Sequence, residues 1–309
     1  MENIATRDAY GRTLASLKNQ NIVVLDADLA ESTRTYLFKE KYPKRFFEFG
    51  ISEADMIDAA CGFASCGKIP FVSTFAVFAS LRALDQIRNT VCVGNFNVKL
   101  VCTHAGLTIG QDGVSNMCLE DISIMRTLPN MSVIVPSDPE ETAQVIKFAS
   151  KYKGPMYIRL GRNKQNNIGD VFKTKTRFRF GKSQLLKAGA SATIIACGYM
   201  VEKAMLAAEI LESDAINVTV VNMSTIKPFD RRIVVNCPKP IVTVEDAMIN
   251  GGLGSSVAEV IAEEGLKTKM IRLGSRDRFG QSGDPEELLS EYGLDVKTIV
   301  GAVKRVLRK

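Results

Sequence analysis

Short apolar runs recur along the chain and alternate with stretches in which apolar residues have helical spacing. The runs occupy residues 22–25, 69–72, 99–103, 132–135 and 156–160, and then 192–196, 217–221, 240–244 and 268–271. Runs of this length between turn residues are typical of buried strands, and strands that alternate with helices form largely parallel sheets. The pattern therefore predicts two doubly wound α/β units.

A polar and basic stretch separates the two series of strands. Residues 163–179 read NKQNNIGDVFKTKTRFR and show no periodicity, which predicts a linker between domains at 1–165 and 180–309. In the second series, Gly251-Gly252-Leu253-Gly254 precedes a helix predicted at 255–264. A glycine-rich loop there could hold a phosphate, but it lacks the G-x-G-x-x-G order, so we predict a tight turn.

Residues 46–78, FFEFGISEADMIDAACGFASCGKIPFVSTFAVF, carry the main chemical signal. We predict a strand at 46–49, then a helix capped by the Ser52 hydroxyl, with Glu53 in its first turn at the ligand-binding edge of the sheet. A second helix is predicted to carry Phe75 and Phe78 on one face. A first-turn glutamate ordinarily complements the helix dipole, and paired phenylalanines ordinarily belong to the core, so this pattern alone leaves both interpretations open.

Composition narrows the class of function. The 309 residues are 46% hydrophobic and 24% charged. The net charge is +6, and the basic residues are interspersed with acidic ones. This argues against nucleic-acid binding and slightly favours small anions. No apolar run has the length of a membrane span, and MENIATRDAYGR is too polar for a signal peptide, so we expect a cytoplasmic protein. The seven cysteines include no C-x-x-C pair, which argues against structural zinc or an iron–sulfur cluster.

The chain resembles the C-terminal half of a transketolase throughout its length. The resemblance continues through NVKLVCTHAGLTIGQDGVSNMCLEDISIMRTLPNMSVIVPSD, GPMYIRLGR, VEDAMINGGLGSSVAEVIAEEG and DRFGQSGDPEELLSEYGLD. It implies a pyrimidine-type thiamine-diphosphate-binding domain followed by a transketolase C-terminal-like domain. The implied reaction transfers a two-carbon ketol unit from a ketose phosphate to an aldose acceptor.

The resemblance also implies residues that contact the cofactor, thiamine diphosphate. Glu53 would hydrogen-bond the ring nitrogen of the aminopyrimidine, and a carboxyl kept protonated by a low-dielectric pocket would favour the imino form that activates thiazolium carbon 2. Phe75 and Phe78 would line the pyrimidine site, with Phe78 stacked on the ring. Asp28, in the segment DADLAES, would also contact the cofactor. Leu81 stands where family members often have a third aromatic residue.

Substrate contacts follow from the same resemblance. Arg7 and Arg162 match arginines that bind the substrate phosphate, for which a planar guanidinium is suited. Ser32 lies in the next contact segment. His104, the only histidine, would contact the sugar phosphate, and Asp112 would bind a substrate hydroxyl. His104 and Asp112 are also implied to act in catalysis.

Two departures limit what the resemblance implies. Asn116 stands where transketolases usually have an active-site histidine, and an amide can hydrogen-bond a hydroxyl but cannot carry a proton near neutral pH, so the acceptor or the proton-transfer rate could differ. The Gly-Asp-Gly motif for the metal-bound diphosphate is also absent from the sequence. We therefore expect no metal ligands on this chain. We expect the C-terminal subunit of a split transketolase, whose N-terminal, diphosphate-binding partner brings Mg²⁺ within a heterotetramer in which this chain also pairs with itself.

Two alternatives remain open. One is a related thiamine-dependent synthase, similar to deoxyxylulose-phosphate synthase or to the β subunit of a 2-oxoacid dehydrogenase. Against it, the set Arg7, Ser32, His104 and Arg162 favours sugar phosphates. The other is a non-catalytic scaffolding subunit, which Asn116 and Leu81 keep open.

Overall fold

The first half of the chain alternates strands and helices in the predicted manner. Its strands are β1 (Ile4–Ala5), β2 (Ile22–Asp26), β3 (Phe46–Glu48), β4 (Ile69–Phe75), β5 (Lys99–Thr103), β6 (Ser132–Ile134), β7 (Met156–Arg159) and β8 (Lys164–Gln165). Its α-helices are α1 (Thr6–Ser16), α2 (Ala30–Thr33), α3 (Tyr36–Lys41), α4 (Glu53–Ser65), α5 (Leu84–Gln86), α6 (Asp121–Thr127), α7 (Pro139–Ala149) and α8 (Ile168–Phe172). Four segments form other helices, 3₁₀ at Pro43–Arg45 and Leu107–Asp112 and π at Phe78–Arg82 and Ile87–Cys92.

The second half repeats this alternation. Its strands are β9 (Gln184–Lys187), β10 (Ala192–Ala196), β11 (Val218–Asn222), β12 (Thr225–Lys227), β13 (Ile241–Met248) and β14 (Met270–Ser275). Its helices are α9 (Met200–Ser213), α10 (Arg231–Asn236), α11 (Leu253–Glu263), α12 (Pro285–Glu291) and α13 (Val296–Leu307). This computed structural model describes residues 3–174 and 176–308, so the ends of the predicted domains at residues 1 and 309 lie outside it, as does residue 175 of the predicted linker.

Two mainly parallel sheets form the framework, which confirms the predicted fold class. The larger has the order β12-β6-β7-β5-β4-β2-β3 and is parallel except for β12. The smaller has the order β14-β13-β10-β11-β9 and is parallel except for β9. Because β12 comes from the second half of the chain, the larger sheet is completed by residues from both halves.

Helices cover both faces of the larger sheet, which is why its central strands read as continuous apolar runs. Tyr10 and Leu14 of α1 pack on one face, whereas Met56 and Ile57 of α4 pack on the other. The cluster around α4 also includes Val257 of the second half. The two halves therefore share part of their apolar core.

The structure corrects several local predictions. Phe75 ends strand β4 instead of lying in a helix, and the Ser52 hydroxyl donates to the Phe49 carbonyl, with no side-chain cap at α4. Helix α11, predicted to begin at residue 255, begins at Leu253. The polar stretch at 163–179 contains β8 and α8, because short polar elements leave no apolar periodicity to detect.

Within the described residues, no helix combines the length and the apolarity needed to cross a lipid bilayer.

Candidate active site

Most of the predicted site residues lie at one edge of the larger sheet. Strands β2, β3, β4, β5 and β7 run parallel, so their carboxyl ends meet there. This edge is where open α/β sheets bind ligands. The segments that follow these five strands carry, respectively, Asp28, Glu53, Phe78, His104 and Arg162.

Glu53 begins helix α4 and is only 1% exposed. Its carboxylate is paired with Arg82, whose Nη1 lies 2.9 Å from both carboxylate oxygens. The burial of Glu53 at a helix N-terminus agrees with the sequence, whereas the partner Arg82 was not anticipated.

Three rings form a stack beside this ion pair. The rings of Phe75 and Phe78 lie 5.6 Å apart at an interplanar angle of 13°, and His104 lies 3.9 Å from Phe75 at 25°. Phe75 and His104 are buried, whereas Phe78 is half-buried and presents a face to Arg82, whose Cζ lies 4.4 Å from the ring centre. The two predicted phenylalanines thus line one continuous wall that reaches the histidine.

Arg7 connects the ring stack to the segment after β2. Its Nη1 donates to the Ser32 carbonyl at 3.0 Å and lies 3.1 Å from Nε2 of His104. Nδ1 of His104 lies 2.8 Å from the Thr103 hydroxyl. The Nε of Arg7 is buried and has no hydrogen-bond partner within the described chain, so this donor is unsatisfied there.

Burial and nearby cations set the protonation of His104. Burial is the main cause and the guanidiniums of Arg7, Arg162 and Arg34 add to it, so that the pKa of His104 falls to about 3. A neutral imidazole near pH 7 can accept a hydrogen bond from an arginine or a hydroxyl. The site therefore combines a neutral histidine with several fixed positive charges.

A second cluster lies on the loop that follows β5. Arg162 forms an ion pair with Asp112, and Nδ2 of Asn116 donates to the Asp112 carbonyl at 3.3 Å. Both members of the ion pair contribute to the electrostatic environment of Arg7, which places this cluster near the first one. The structure thus brings together Arg162, Asp112 and Asn116, which are three of the predicted substrate-binding residues, with the arginine engaged by a carboxylate.

The second half of the chain holds this loop in place. The Asp246 carboxylate accepts hydrogen bonds from the Leu107 and Thr108 amides at 2.8 and 3.4 Å and from the Thr108 hydroxyl at 2.9 Å. Gly106, with φ of 89°, passes so close to Asp246 that a β-carbon would lie 2.1 Å from its Oδ2. Buried Arg159 donates to the Asp246 carbonyl at 2.8 Å.

The segment after β2 is organised by a residue that the sequence analysis missed. Buried Asp26 accepts hydrogen bonds from the Leu29 amide and from the hydroxyls of Thr33 and Thr35 at 2.7 to 2.8 Å. Burial outweighs these bonds and raises the pKa of Asp26 to about 6. Asp28, predicted as a cofactor contact, is exposed with φ of 60°, and no side-chain contact in the described chain joins it to the ring stack.

Arg34 and Arg82 were also missed by the sequence analysis. Arg34 Nε donates to Asp8 at 2.6 Å beside Arg7, and Arg82 lies on Glu53. Single arginines carry no pattern of their own, so only proximity in space identifies them. For Asp26 a signal was present, since an acidic residue that ends a fully apolar strand needs buried hydrogen-bond partners.

The glycine-rich loop before α11 is occupied by the protein itself. The Glu245 carboxylate accepts hydrogen bonds from the Leu253 and Gly254 amides at 2.7 and 2.8 Å, and a β-carbon at Gly252 would lie 2.0 Å from Glu245 Oε2. The amides that would bind a phosphate are therefore already used, which agrees with the predicted turn.

Comparison with known proteins identifies the family. The family profile "Transketolase, pyrimidine binding domain" matches residues 2–167, and "Transketolase, C-terminal domain" matches residues 181–299. The chain belongs to the transketolase family. Membership implies dependence on thiamine diphosphate, and it confirms the resemblance inferred from the motifs.

Relatives of the chain include proteins of similar and of double length. It is 47% identical to a Methanocaldococcus jannaschii protein described as a transketolase C-terminal section, over 98% of this chain and 96% of that protein. It is 38% identical to a 6-deoxy-6-sulfo-D-fructose transketolase subunit from Clostridium sp. strain MSTE9, over 98% and 94%. Human transketolase is 36% identical over the whole of this chain, which spans only 50% of the human protein.

Solved structures agree with this assignment. A protein described as a split gene transketolase, inactive beta4 tetramer, superposes with a TM-score of 0.89 at 44% identity and covers 98% of both chains. Campylobacter jejuni transketolase gives a TM-score of 0.83 at 22% identity over 98% of this chain and 47% of its own, which supports the fold alone.

The residues at the sheet edge fit an aminopyrimidine. Glu53 offers a buried carboxylate, Phe78 offers a ring face, and both are contacted by a planar, nitrogen-rich cation, the guanidinium of Arg82. A hydrogen-bonding acid beside an aromatic face is the set of groups that a planar heterocycle with ring nitrogens needs. The pyrimidine end of thiamine diphosphate is thus compatible with this transketolase chain.

Proposed function

We propose that this chain is the pyrimidine-binding C-terminal subunit of a split transketolase and transfers a two-carbon ketol unit between sugars. The observation that carries the proposal is the arrangement of Glu53, Phe78, His104 and Arg7 along one edge of the sheet, on a chain that aligns with half of a full-length transketolase. Thiamine diphosphate, when bound, would supply the stabilisation of the transferred carbanion.

The residues of the chain have distinct tasks in this proposal. Glu53 would hydrogen-bond the pyrimidine, and Phe75 and Phe78 would hold its plane. Because His104 is neutral near pH 7, it would act as a hydrogen-bonding group instead of delivering a proton, and a donor group of the sugar would replace Arg7 Nη1 at its Nε2. Asp112 would bind a hydroxyl after its ion pair with Arg162 rearranges.

We further propose an anionic group at the far end of the sugar. Arg7 offers a buried unpaired Nε, and Arg162 and Arg34 add positive charge nearby. Phosphate and sulfonate both suit guanidinium donors. The name of the Clostridium relative supports the sulfonate, since that protein is a transketolase subunit for a sulfonated fructose. Asp28 and Ser32 would complete the entrance, with Asn116 facing the acceptor.

The remaining parts of the active unit would come from a partner chain. We propose an N-terminal subunit that binds the diphosphate and carries the Mg²⁺ ligands, in a heterotetramer built from two copies of each chain. The split-gene neighbour supports this arrangement, because it is a tetramer of β chains alone and is described as inactive. The seven free cysteines are consistent with a cytoplasmic location, where thiols stay reduced.

The alternatives are less well supported. A 1-deoxy-D-xylulose-5-phosphate synthase of Caldanaerobacter subterraneus is 34% identical over 96% of this chain, so a related synthase shares the family, but the half-length relatives are named as transketolase parts. A scaffolding role would not explain why a glutamate is buried at position 53, since burial of a carboxylate costs free energy.

A ketol-transfer assay tests the proposal. We expect the chain alone to be inactive and the mixture with its N-terminal partner to convert a ketose donor and ribose 5-phosphate in the presence of thiamine diphosphate and Mg²⁺. Xylulose 5-phosphate and 6-deoxy-6-sulfofructose should be compared as donors to distinguish the two anions. Full activity of the chain alone would contradict the split arrangement.

Substitution of Glu53 tests its role. Glu53→Gln should lower kcat by roughly 10² to 10⁴-fold, the range that general acid–base groups contribute, because an amide cannot exchange a proton with the pyrimidine. Glu263→Gln is the matched control, since Glu263 pairs with Arg231 on the surface. Unchanged activity of the Glu53 variant in the assembled complex would favour the scaffolding alternative.

A further inference from the structure

Arg82 occupies the space that the proposed function assigns to the pyrimidine. Its Nη1 contacts both oxygens of Glu53 at 2.9 Å, and its guanidinium lies over the Phe78 ring with Cζ 4.4 Å from the centre. A guanidinium is planar and delocalised, carries N–H donors, and stacks on aromatic faces. Arg82 thus makes the same two kinds of contact that an aminopyrimidine would make with these residues.

The two occupants cannot share the site. Nη1 of Arg82 lies at hydrogen-bonding distance from both oxygens of Glu53, and the Glu53 side chain is only 1% exposed, which leaves little room for a second partner. The guanidinium also lies over the ring of half-buried Phe78. Binding of an aminopyrimidine to both residues therefore requires Arg82 to leave.

The pairing also has a physical reason in the protein without cofactor. A buried carboxylate without a partner is costly, and a cation at hydrogen-bonding distance offsets this cost. The site in the unassembled subunit is thereby stabilised without a ligand. Once a heterocycle hydrogen-bonds Glu53, the same need is met and Arg82 is no longer required there.

The position of Arg82 allows it to move. Its side chain is 48% exposed, and within the described chain only Glu53 accepts a hydrogen bond from it. It ends the π-helical segment Phe78–Arg82, where the Ala83 amide donates to the Phe78 carbonyl at 3.1 Å. Such widened turns are frequent at functional sites, and an arginine side chain can move into solvent without a change in the backbone.

We propose that Arg82 is a displaceable occupant of the pyrimidine site, which competes with the cofactor for Glu53 and Phe78 and so sets the affinity of the subunit for it. This inference rests on the proposed function, because it assigns the pyrimidine to these two residues. Arg82 would thereby weaken the binding of the cofactor to the free chain.

Thiamine is the probe that tests the inference on the full chain. It carries the aminopyrimidine but no diphosphate, so its binding does not need the partner's metal site. Calorimetric titration should show that Arg82→Leu binds thiamine about tenfold more tightly than the wild type, which corresponds to about 1.4 kcal/mol, since loss of an ion pair and a cation–π contact removes the competition. Arg82→Lys should lie between them, because lysine pairs with a carboxylate but lacks a planar group.

Two further variants provide the controls. Arg88→Leu removes an exposed arginine from the same stretch of chain, where its partner is Asn89, and should leave thiamine binding unchanged. The double variant Arg82→Leu/Glu53→Gln should lose the gain in affinity, because the pyrimidine then lacks its carboxylate. Thermal unfolding of each variant verifies that it is folded. If Arg82→Leu does not fold, Arg82→Lys serves as the test, because it retains a cation beside Glu53.

The outcomes separate the two proposals. Equal or weaker thiamine binding by Arg82→Leu, including the absence of binding by both proteins, overturns the role of Arg82. If Arg82→Leu matches the wild type while the double variant binds less tightly, the pyrimidine site stands and only the competition is refuted. If Arg82→Leu and the double variant Arg82→Leu/Glu53→Gln bind thiamine equally, Glu53 does not contact the pyrimidine and the proposed site is refuted.

Discussion

At the scale of single residues, His104 shows how surroundings change what a side chain can do. It lies at the end of β5 with φ of 58°, stacked on Phe75 and in contact with Arg7. Free histidine titrates near neutral pH and is a common acid or base. Here burial and three arginines keep it uncharged. Its chemistry is therefore hydrogen bonding, and its identity in the sequence alone did not reveal this.

The titration of His104 can be measured directly because it is the only histidine in the chain. NMR of its imidazole in the folded protein should show no titration between pH 5 and 8 and a midpoint of about 3. The lowered pKa means that the unfolded chain binds a proton below about 6.5 that the folded chain refuses. Stability present above that pH should therefore be lost as the pH falls toward 3.

Inorganic phosphate provides a second arm of this measurement. An anion bound among Arg7, Arg34 and Arg162 would offset the charges that repel a proton, so phosphate should raise the pKa of His104. Chloride at matched ionic strength serves as the control for screening. A midpoint near 6.5 without phosphate would contradict the buried, cation-flanked placement of the ring.

At the scale of elements, the loop Leu107–Asp112 depends on a strand in the other half of the chain. It carries Asp112, yet its first two amides donate to Asp246 of β13. Gly110 and Gly113 of the same region lie against residues 282–285. The second half therefore contributes to the proposed site by positioning a loop, although its own residues do not line the ring stack.

Asp246→Asn should loosen this loop while the protein remains folded. The amide nitrogen introduced would face an N–H group where a carboxylate oxygen accepted, so roughly 1 to 3 kcal/mol of local stability should be lost. Hydrogen exchange at the Leu107 and Thr108 amides should accelerate by about tenfold to a hundredfold. In the assembled enzyme, KM for the sugar should rise more than kcat falls.

Asp230→Asn is a suitable control for that variant. Asp230 also anchors a loop by accepting hydrogen bonds, in its case from the Ser183 amide and hydroxyl at 3.0 and 3.1 Å. Its loss should leave exchange at residues 107 and 108 unchanged. Unaltered protection of those amides in Asp246→Asn would show that the loop holds its position without the carboxylate.

At the scale of the whole molecule, the two halves are built as one folding unit. Strand β12, from the second half, pairs with β6 and completes the larger sheet. Buried Arg159 of the first half donates to Asp121 at 2.8 Å and also to the Asp246 carbonyl of the second. An apolar cluster continues across the same boundary. Separation would expose a strand edge, a buried charge and apolar surface together.

We therefore predict a single cooperative unfolding transition for the chain. Calorimetry should give one peak whose van't Hoff and calorimetric enthalpies agree, and fluorescence and circular dichroism should report the same midpoint. A chain truncated after residue 180 should aggregate or remain partly unfolded, because β6 then lacks its neighbour. Two well-separated transitions would refute this prediction and indicate independent domains.

Much of the fold could be predicted from local patterns. The runs at 99–103 and 192–196 match their strands in full, because buried parallel strands are continuous apolar segments. Other strands, such as β13, extend beyond the predicted run because pairing with neighbours continues through polar residues. Phe75 was placed in a helix because its spacing to Phe78 suits one, yet pairing with β5 keeps it in the sheet.

The site could be predicted only in part. Glu53, Phe75, Phe78, Arg7, His104 and the Arg162 cluster were identified by motif and lie where contacts join them. Their partners were not identified. Arg82, Arg34 and Asp246 belong to no motif, and Asp246 is 139 residues from the Leu107 amide that it binds. Pairing over such distances depends on how the sheets pack.

The sequence by itself determined the alternation of elements, the family, and the placement of an acid at a helix start beside an aromatic pair. These follow from periodicity and from motifs, which act over a few residues. Only the tertiary structure decided that Arg82 covers Glu53, that burial and three arginines keep His104 neutral, and that the second half holds the loop with Asp112. Each of these depends on burial and on distances between remote residues, because electrostatic and hydrogen-bond energies are set by separation and solvent exposure.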